Sequence, residues 1–237
     1  VLEQARGLTD RARSLAGGPS GTFRLGVPPT LGPYLLPHIL PDLHRAYASV
    51  KLYVREGVPR MLLEDLRNGR YDLILTPLPI PEGQLTVAPL FREPIRLVLG
   101  PEHPLAQREV VRPGDLRGVD VLLIDETHLF HRQIEQLCQR LGANVLRDYE
   151  GTSLDTLRHM VLMGMGVAFL PALYVRSEIR EADELRVTQV AGDEVERVNA
   201  LVWRDTSPAR TLFREMAEHI RTIVAEKLLD EVVPVAA

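Results

Sequence analysis

From Thr22 onward, short apolar runs alternate with longer stretches in which apolar residues recur every three or four positions, and this alternation most constrains what the chain can fold into. Thr22 to Val27 is strand-like, Leu31 to Tyr47 helical, Val50 to Arg55 strand-like, Pro59 to Asn68 helical, and Tyr71 to Thr76 strand-like again. After Leu85 to Phe91, the segment Arg92-Glu93-Pro94 leads into another strand, Ile95 to Leu99, and a second series follows. Val121 to Ile124 reads as a strand, Leu129 to Leu141 as a helix closed by Gly142, Val145 to Tyr149 as a strand, Leu154 to Met163 as a helix, and Val167 to Leu170 as a strand. Val195 to Trp203 and Pro208 to Leu229 complete the series as a strand and a long helix. Alternation of this kind builds mainly parallel sheets covered by helices, so the expected class is α/β with two halves joined near Glu93 and again near Val198.

Local punctuation supports several of these boundaries. Pro59 fits the first helical position, where its missing N–H is harmless, and Gly69 fits the left-handed stop. Pro33, Pro37 and Pro41 recur in the first half of the first helix, which predicts a kinked or late-starting helix. Ahead of the alternation, Leu2, Ala5, Leu8, Ala12 and Leu15 form one apolar stripe, and Gly17-Gly18-Pro19-Ser20-Gly21 breaks it. The expected division is 1–20 as the end of a helix and a flexible joint, 21–93 with 199–230 as one lobe, 94–198 as the second, and 231–237 as a tail.

A net charge of -4 lacks the basic footprint of a domain that grips phosphate backbones, so this chain by itself is expected not to bind DNA. The longest uncharged stretch, Met160 to Val175, is 16 residues, interrupted by Gly164, Gly166 and Pro171. That falls short of the ~20 needed to cross a bilayer, so no membrane association is expected. Arg6, Asp10, Arg11 and Arg13 deny the N-terminus the apolar core of a signal peptide, and the missing initiator Met suggests a fragment or processed form. The single cysteine, Cys138, has no internal disulfide partner and suits a reducing, cytoplasmic compartment.

Two α/β halves would place a cleft between them, with strand ends and helix starts facing it, and such clefts take small ligands. Thr30 could cap the first helix or donate its hydroxyl to a bound molecule. Thr152-Ser153-Leu154-Asp155 has the spacing of a capping box and the same ambiguity. Asp125, His128 and His131 could share a metal only if the spacing is more than coincidence, and no metal or cofactor is expected. No G-x-S-x-G elbow, Walker loop or G-x-G-x-x-G is present, and an enzyme is not expected. Cys138 shares the apolar face of its helix with Phe130, Ile134, Leu137 and Leu141; no cation stands one turn away, and a helix C-terminus disfavours a thiolate.

Four stretches carry a resemblance. They are Pro29-Thr30-Leu31-Gly32-Pro33-Tyr34-Leu35-Leu36-Pro37-His38, Leu90 to Pro94 with Glu102-His103-Pro104-Leu105-Ala106, Asp125 to Cys138, and Thr152 to Arg158 followed by Gly166 to Ala172. Together they resemble the peroxide-sensing OxyR branch of the LysR-type transcriptional regulators, in uninterrupted order from about Gly21 to Ala225. The resemblance implies a regulatory domain of two Rossmann-like lobes similar to periplasmic binding proteins, joined by two crossover strands. It also implies a winged helix-turn-helix ahead of this chain, a dimerising linker helix of which Val1 to Ala16 is the end, contact with promoter DNA through that missing reader, and homo-oligomers, dimers or tetramers.

Branch members sense hydrogen peroxide with a reactive cysteine that follows a histidine and pairs with a second cysteine nine residues on. Here His128 matches the histidine, Leu129 stands at the reactive position, and Cys138 matches the second cysteine. The leading reading is a peroxide sensor that responds through oxidation of Cys138 alone, with Thr30, His128, Thr152 and Ser153 around the ligand. The alternative is a domain that binds a small organic effector and keeps a structural cysteine. A solute-binding protein of the same architecture is the third reading, set back by the linker-like N-terminus and the absent signal sequence.

Overall fold

The structure is a computed structural model that describes residues 21–81, 83–151, 153–180 and 185–235. The apolar stripe and glycine-rich joint expected over 1–20 lie outside the described residues. The described chain falls into two compact units, one running to Arg92 and resuming at Val198, the other Glu93–Arg197.

In the first unit, β1 (Gly21–Val27) lies between β2 (Val50–Glu56) and β3 (Leu73–Pro77), parallel to both. The return segment of β9 (Glu196–Arg204) then pairs antiparallel with β3, from Leu73 opposite Trp203 to Pro77 opposite Asn199. Helices α1 (Gly32–Ala46), α2 (Pro59–Arg67) and α6 (Arg210–Lys227) cover this sheet. Leu62, Leu63 and Leu66 of α2 pack with Ile74, Ala200 and Val202, while Phe213 of α6 meets Phe23 edge-on with ring centroids 5.3 Å apart. Residues Val233–Pro234 form a short strand, β10, against Arg92 and Phe91 of β4 (Leu85–Leu99).

Helix α1 corrects the expected late start, since it begins at Gly32 and continues with Pro37 and Pro41 inside it. The prolines at 33, 37 and 41 are four apart, on one face, and all three are exposed. Pro33 stands in the first turn, where its missing N–H is harmless, and Pro37 and Pro41 cost their bonds on the exposed side, while Leu35, Leu36, Ile39 and Leu43 keep the opposite face buried. Helix α2 follows its punctuation, with Pro59 in the first turn and Gly69 at φ 74° after its end.

The second unit repeats the plan: β5 (Asp120–Ile124) lies between β6 (Asn144–Gly151) and β7 (Val167–Pro171), parallel to both. From Ile95 onward β4 runs antiparallel to β7, and β8 (Arg186–Thr188) pairs with its far end. Two strands were expected on either side of Pro94, yet β4 passes through it unbroken. Pro94 has no N–H to offer, and it stands between the residues paired with β10 and those paired with β7. Helices α3 (Leu129–Leu141) and α4 (Leu154–Leu162) follow the sequence reading, and α5 (Ala172–Glu178) is an addition to it.

Candidate functional site

The start of α3 is shaped by three residues. Asp125 Oδ1 accepts the Thr127 N–H at 2.9 Å and the Thr127 hydroxyl, and the Asp125 carbonyl accepts the His128 N–H at 3.1 Å. The Thr127 bonds hold the Asp125 carboxyl below the usual carboxylate range. This turn delivers His128 to the N-cap position in extended backbone, φ -87° and ψ 135°. Its ring makes no capping bond, is 8% exposed, and leaves Nδ1 buried without a hydrogen-bond partner among the described residues. Burial pulls the imidazole pKa below 6.5, against the opposing pull of Asp125. Burial thus favours the neutral ring of His128, and its unpartnered Nδ1 at the start of α3 suits a small polar molecule.

His131 does not join it, because its Nδ1 meets the Ile124 carbonyl at 2.6 Å. No group of three potential metal ligands occurs among the described residues.

Cys138 lies at the other end of α3. Ten residues separate it from His128, which is roughly 15 Å of helical rise. Its side chain is 1% exposed, among the buried face that includes Ile134, Leu137 and Leu141. Burial, with Glu135 adding to it, raises the thiol from 9.0 to about 11. Its carbonyl accepts the Ala143 N–H at 3.0 Å, and Gly142, at φ 67°, closes the helix. In this arrangement the thiol is a small apolar side chain and not a nucleophile.

The other candidates are held in different ways. Thr30 is in the first unit and 3% exposed, but it does not cap α1 as expected: Leu31 holds that position and makes no side-chain capping bond. The turn is closed instead by the Pro28 carbonyl, which accepts from Leu31 N at 3.0 Å and Gly32 N at 2.9 Å. Ser153 caps α4, its Oγ accepting the Thr156 N–H at 3.2 Å. Thr152 lies outside the described residues. An open hollow of about 470 Å³ in the second unit, on Arg96, Glu109, Val110 and Thr188, includes none of these residues.

Two residues absent from the sequence-derived set stand close to α3. Glu93 and Arg197 form an ion pair, Nε to Oε2 at 2.8 Å, and the Arg197 guanidinium lies 5.5 Å from the ring centroid of Phe130. A signal for Glu93 was present: in a strand, residues two apart share a face, and Glu93 falls between Phe91 and Ile95, both buried.

The family model for the LysR substrate binding domain matches residues 16–225. The DNA-binding transcriptional dual regulator OxyR of Escherichia coli K12 is 36% identical over 221 residues, 93% of this chain and 72% of that protein. The reduced form of OxyR superposes with a TM-score of 0.78 at 34% identity, covering 88% of this chain and 98% of that one. A hydrogen peroxide-bound cysteine-to-serine mutant of Corynebacterium glutamicum OxyR gives a TM-score of 0.84 at 27% identity, over 95% of this chain and 71% of that one. Its two α/β units, their sheet order and these similarities place the chain in the LysR substrate-binding-domain family, as an OxyR-like regulatory domain with a periplasmic-binding-protein-like fold and one cysteine.

Proposed function

We propose that this chain is the sensor domain of a transcriptional regulator that responds to hydrogen peroxide, and that Cys138 carries the response. The observation behind this reading is the similarity, at 36% identity over 93% of the chain, to a regulator of the OxyR group. The buried, neutral His128 at the start of the Cys138 helix supports it, since a ring nitrogen without a partner can take a peroxide O–H. Thr30 and Ser153, with Thr152, are the other proposed ligand contacts. Peroxide oxygen transfers to the thiolate, giving sulfenic acid and hydroxide, and the reaction waits on opening of α3, because the closed helix keeps the thiol protonated and covered.

The domain acts by rearrangement and not by turnover. It works on promoter DNA through a winged helix-turn-helix outside this chain, as a homo-oligomer in the cytoplasm. No helix among the described residues is long and apolar enough to cross a membrane. The lobes proposed to respond, 21–93 with 199–230 and 94–198, lie within one residue of the two compact units, whose boundary puts Glu93 in the second.

A second reading has its own observation. The raised pKa and 1% exposure of Cys138 suit a structural thiol, which would leave a small organic effector as the ligand. A sulfenate-specific probe, with intact-mass measurement of the reduced chain before and after peroxide, separates the two. Adduct at Cys138 is the expected result; a thiol that stays free at every peroxide dose favours the effector.

A further inference from the structure

Glu93 and Arg197 are the first and last residues of the second unit, and they are 0% and 1% exposed in their side chains. The Glu93 carboxylate spends one oxygen on Arg197 Nε at 2.8 Å and the other on the Leu173 N–H at 3.0 Å, in the first turn of α5. The Arg197 guanidinium in turn faces the ring of Phe130, second residue of α3 and two past His128. One carboxylate and one guanidinium therefore tie together β4, β9, α5 and the first turn of α3.

Such a pair is a poor way to add stability. Removing two charges from water cancels most of their mutual attraction, and apolar side chains of similar volume often do as well or better. Direction is what it supplies, because a planar guanidinium fixed at Nε can present its face to an aromatic ring from one side only.

We propose that Glu93 and Arg197 are a positioning pair for the first turn of α3: they hold Phe130, and with it His128, in the closed arrangement, and they must shift when that turn opens. The inference deepens the sensing role proposed for this helix, and it is tested without peroxide.

Hydrogen exchange and thermal melting of the 237-residue chain provide the test, on the wild type, Glu93→Leu/Arg197→Met and Phe130→Leu. The double variant should melt within a few degrees of the wild type, while the amides of residues 131–134 exchange faster by about ten-fold or more and the sheet amides of the unit stay unchanged. Phe130→Leu should loosen the same amides with the ion pair intact. Wild-type exchange at 131–134 in both variants would overturn the proposal. So would a double variant that fails to fold, or one whose exchange accelerates throughout the unit in step with a lower melting temperature, since the pair would then be a stabiliser. A wild type indifferent to peroxide would count against the sensing role and leave this exchange result standing.

Discussion

Alkylation of Cys138 in the native chain is expected to be at least about a hundred-fold slower than in the unfolded chain, by either of two routes. In the closed helix the limit is ionisation: the thiol rises from 9.0 to about 11. At about pH 7.5 the ordinary thiol is ionised to roughly 3% and the raised one to roughly 0.03%, a hundred-fold deficit in the nucleophile. Through opening, the limit is packing. Exposing Cys138 lifts Leu137 and Leu141 with it, both buried at 5% exposure or less. At roughly 1.5–3 kcal/mol per side chain, this costs about 3–6 kcal/mol, a population from about one in 160 to about one in 25,000. Iodoacetamide rates measured on native and urea-unfolded protein from pH 7 to 10 resolve both. A native rate that levels off near pH 9 reports the open state, and one that climbs through pH 10 reports the closed helix. A native rate within about five-fold of the unfolded rate would refute the burial argument.

His128 predicts a pH dependence. Its folded pKa lies below 6.5, so its contribution to stability is complete above that value and is lost as pH falls, because the unfolded chain takes up the proton first. An NMR titration should place the midpoint below 6.5, and His128→Gln should flatten the decline in melting temperature below that pH; an unaltered decline would contradict it. Ser153→Ala removes the cap of α4 and should cost about 1 kcal/mol by urea denaturation, with no change expected if the Thr156 N–H finds another acceptor. Gly166→Ala places a Cβ 2.9 Å from the Asp120 carbonyl oxygen at φ 157° and should cost about 1–3 kcal/mol in the same assay.

How much of the molecule could be read in advance depended on whether the cause was local. Helix α3 was legible to its last residue, because its period, its extended entry at His128 and its Gly142 stop are all set within a few positions. Helix α1 defeated a rule applied residue by residue. Pro33 falls in the tolerant first turn, and Pro37 and Pro41, breakers when taken singly, stand with it on one exposed face. Helix α5 was hidden because Val167 to Tyr174 is apolar throughout, and a continuous buried run shows no period to distinguish strand from helix. The site divided in the same way. The cap at Ser153 was readable from spacing, as was the buried face of Cys138. Of the two roles open to Thr30, only the cap is excluded, since Leu31 holds the N-cap and the turn that enters α1 is closed by the Pro28 carbonyl. Arg197 depends on Glu93, 104 residues away, and nothing local to either announces a pair.

Whether peroxide acts through Cys138 is decided by peroxide-dependent transcription from the full regulator carrying this domain. Cys138→Ser changes one buried atom and keeps the side chain's size, so the variant should fold and melt close to the wild type. With folding shown to be intact, the peroxide response of the wild type should disappear in the variant. A response that persists undiminished would return Cys138 to the core and move sensing to the bound ligand.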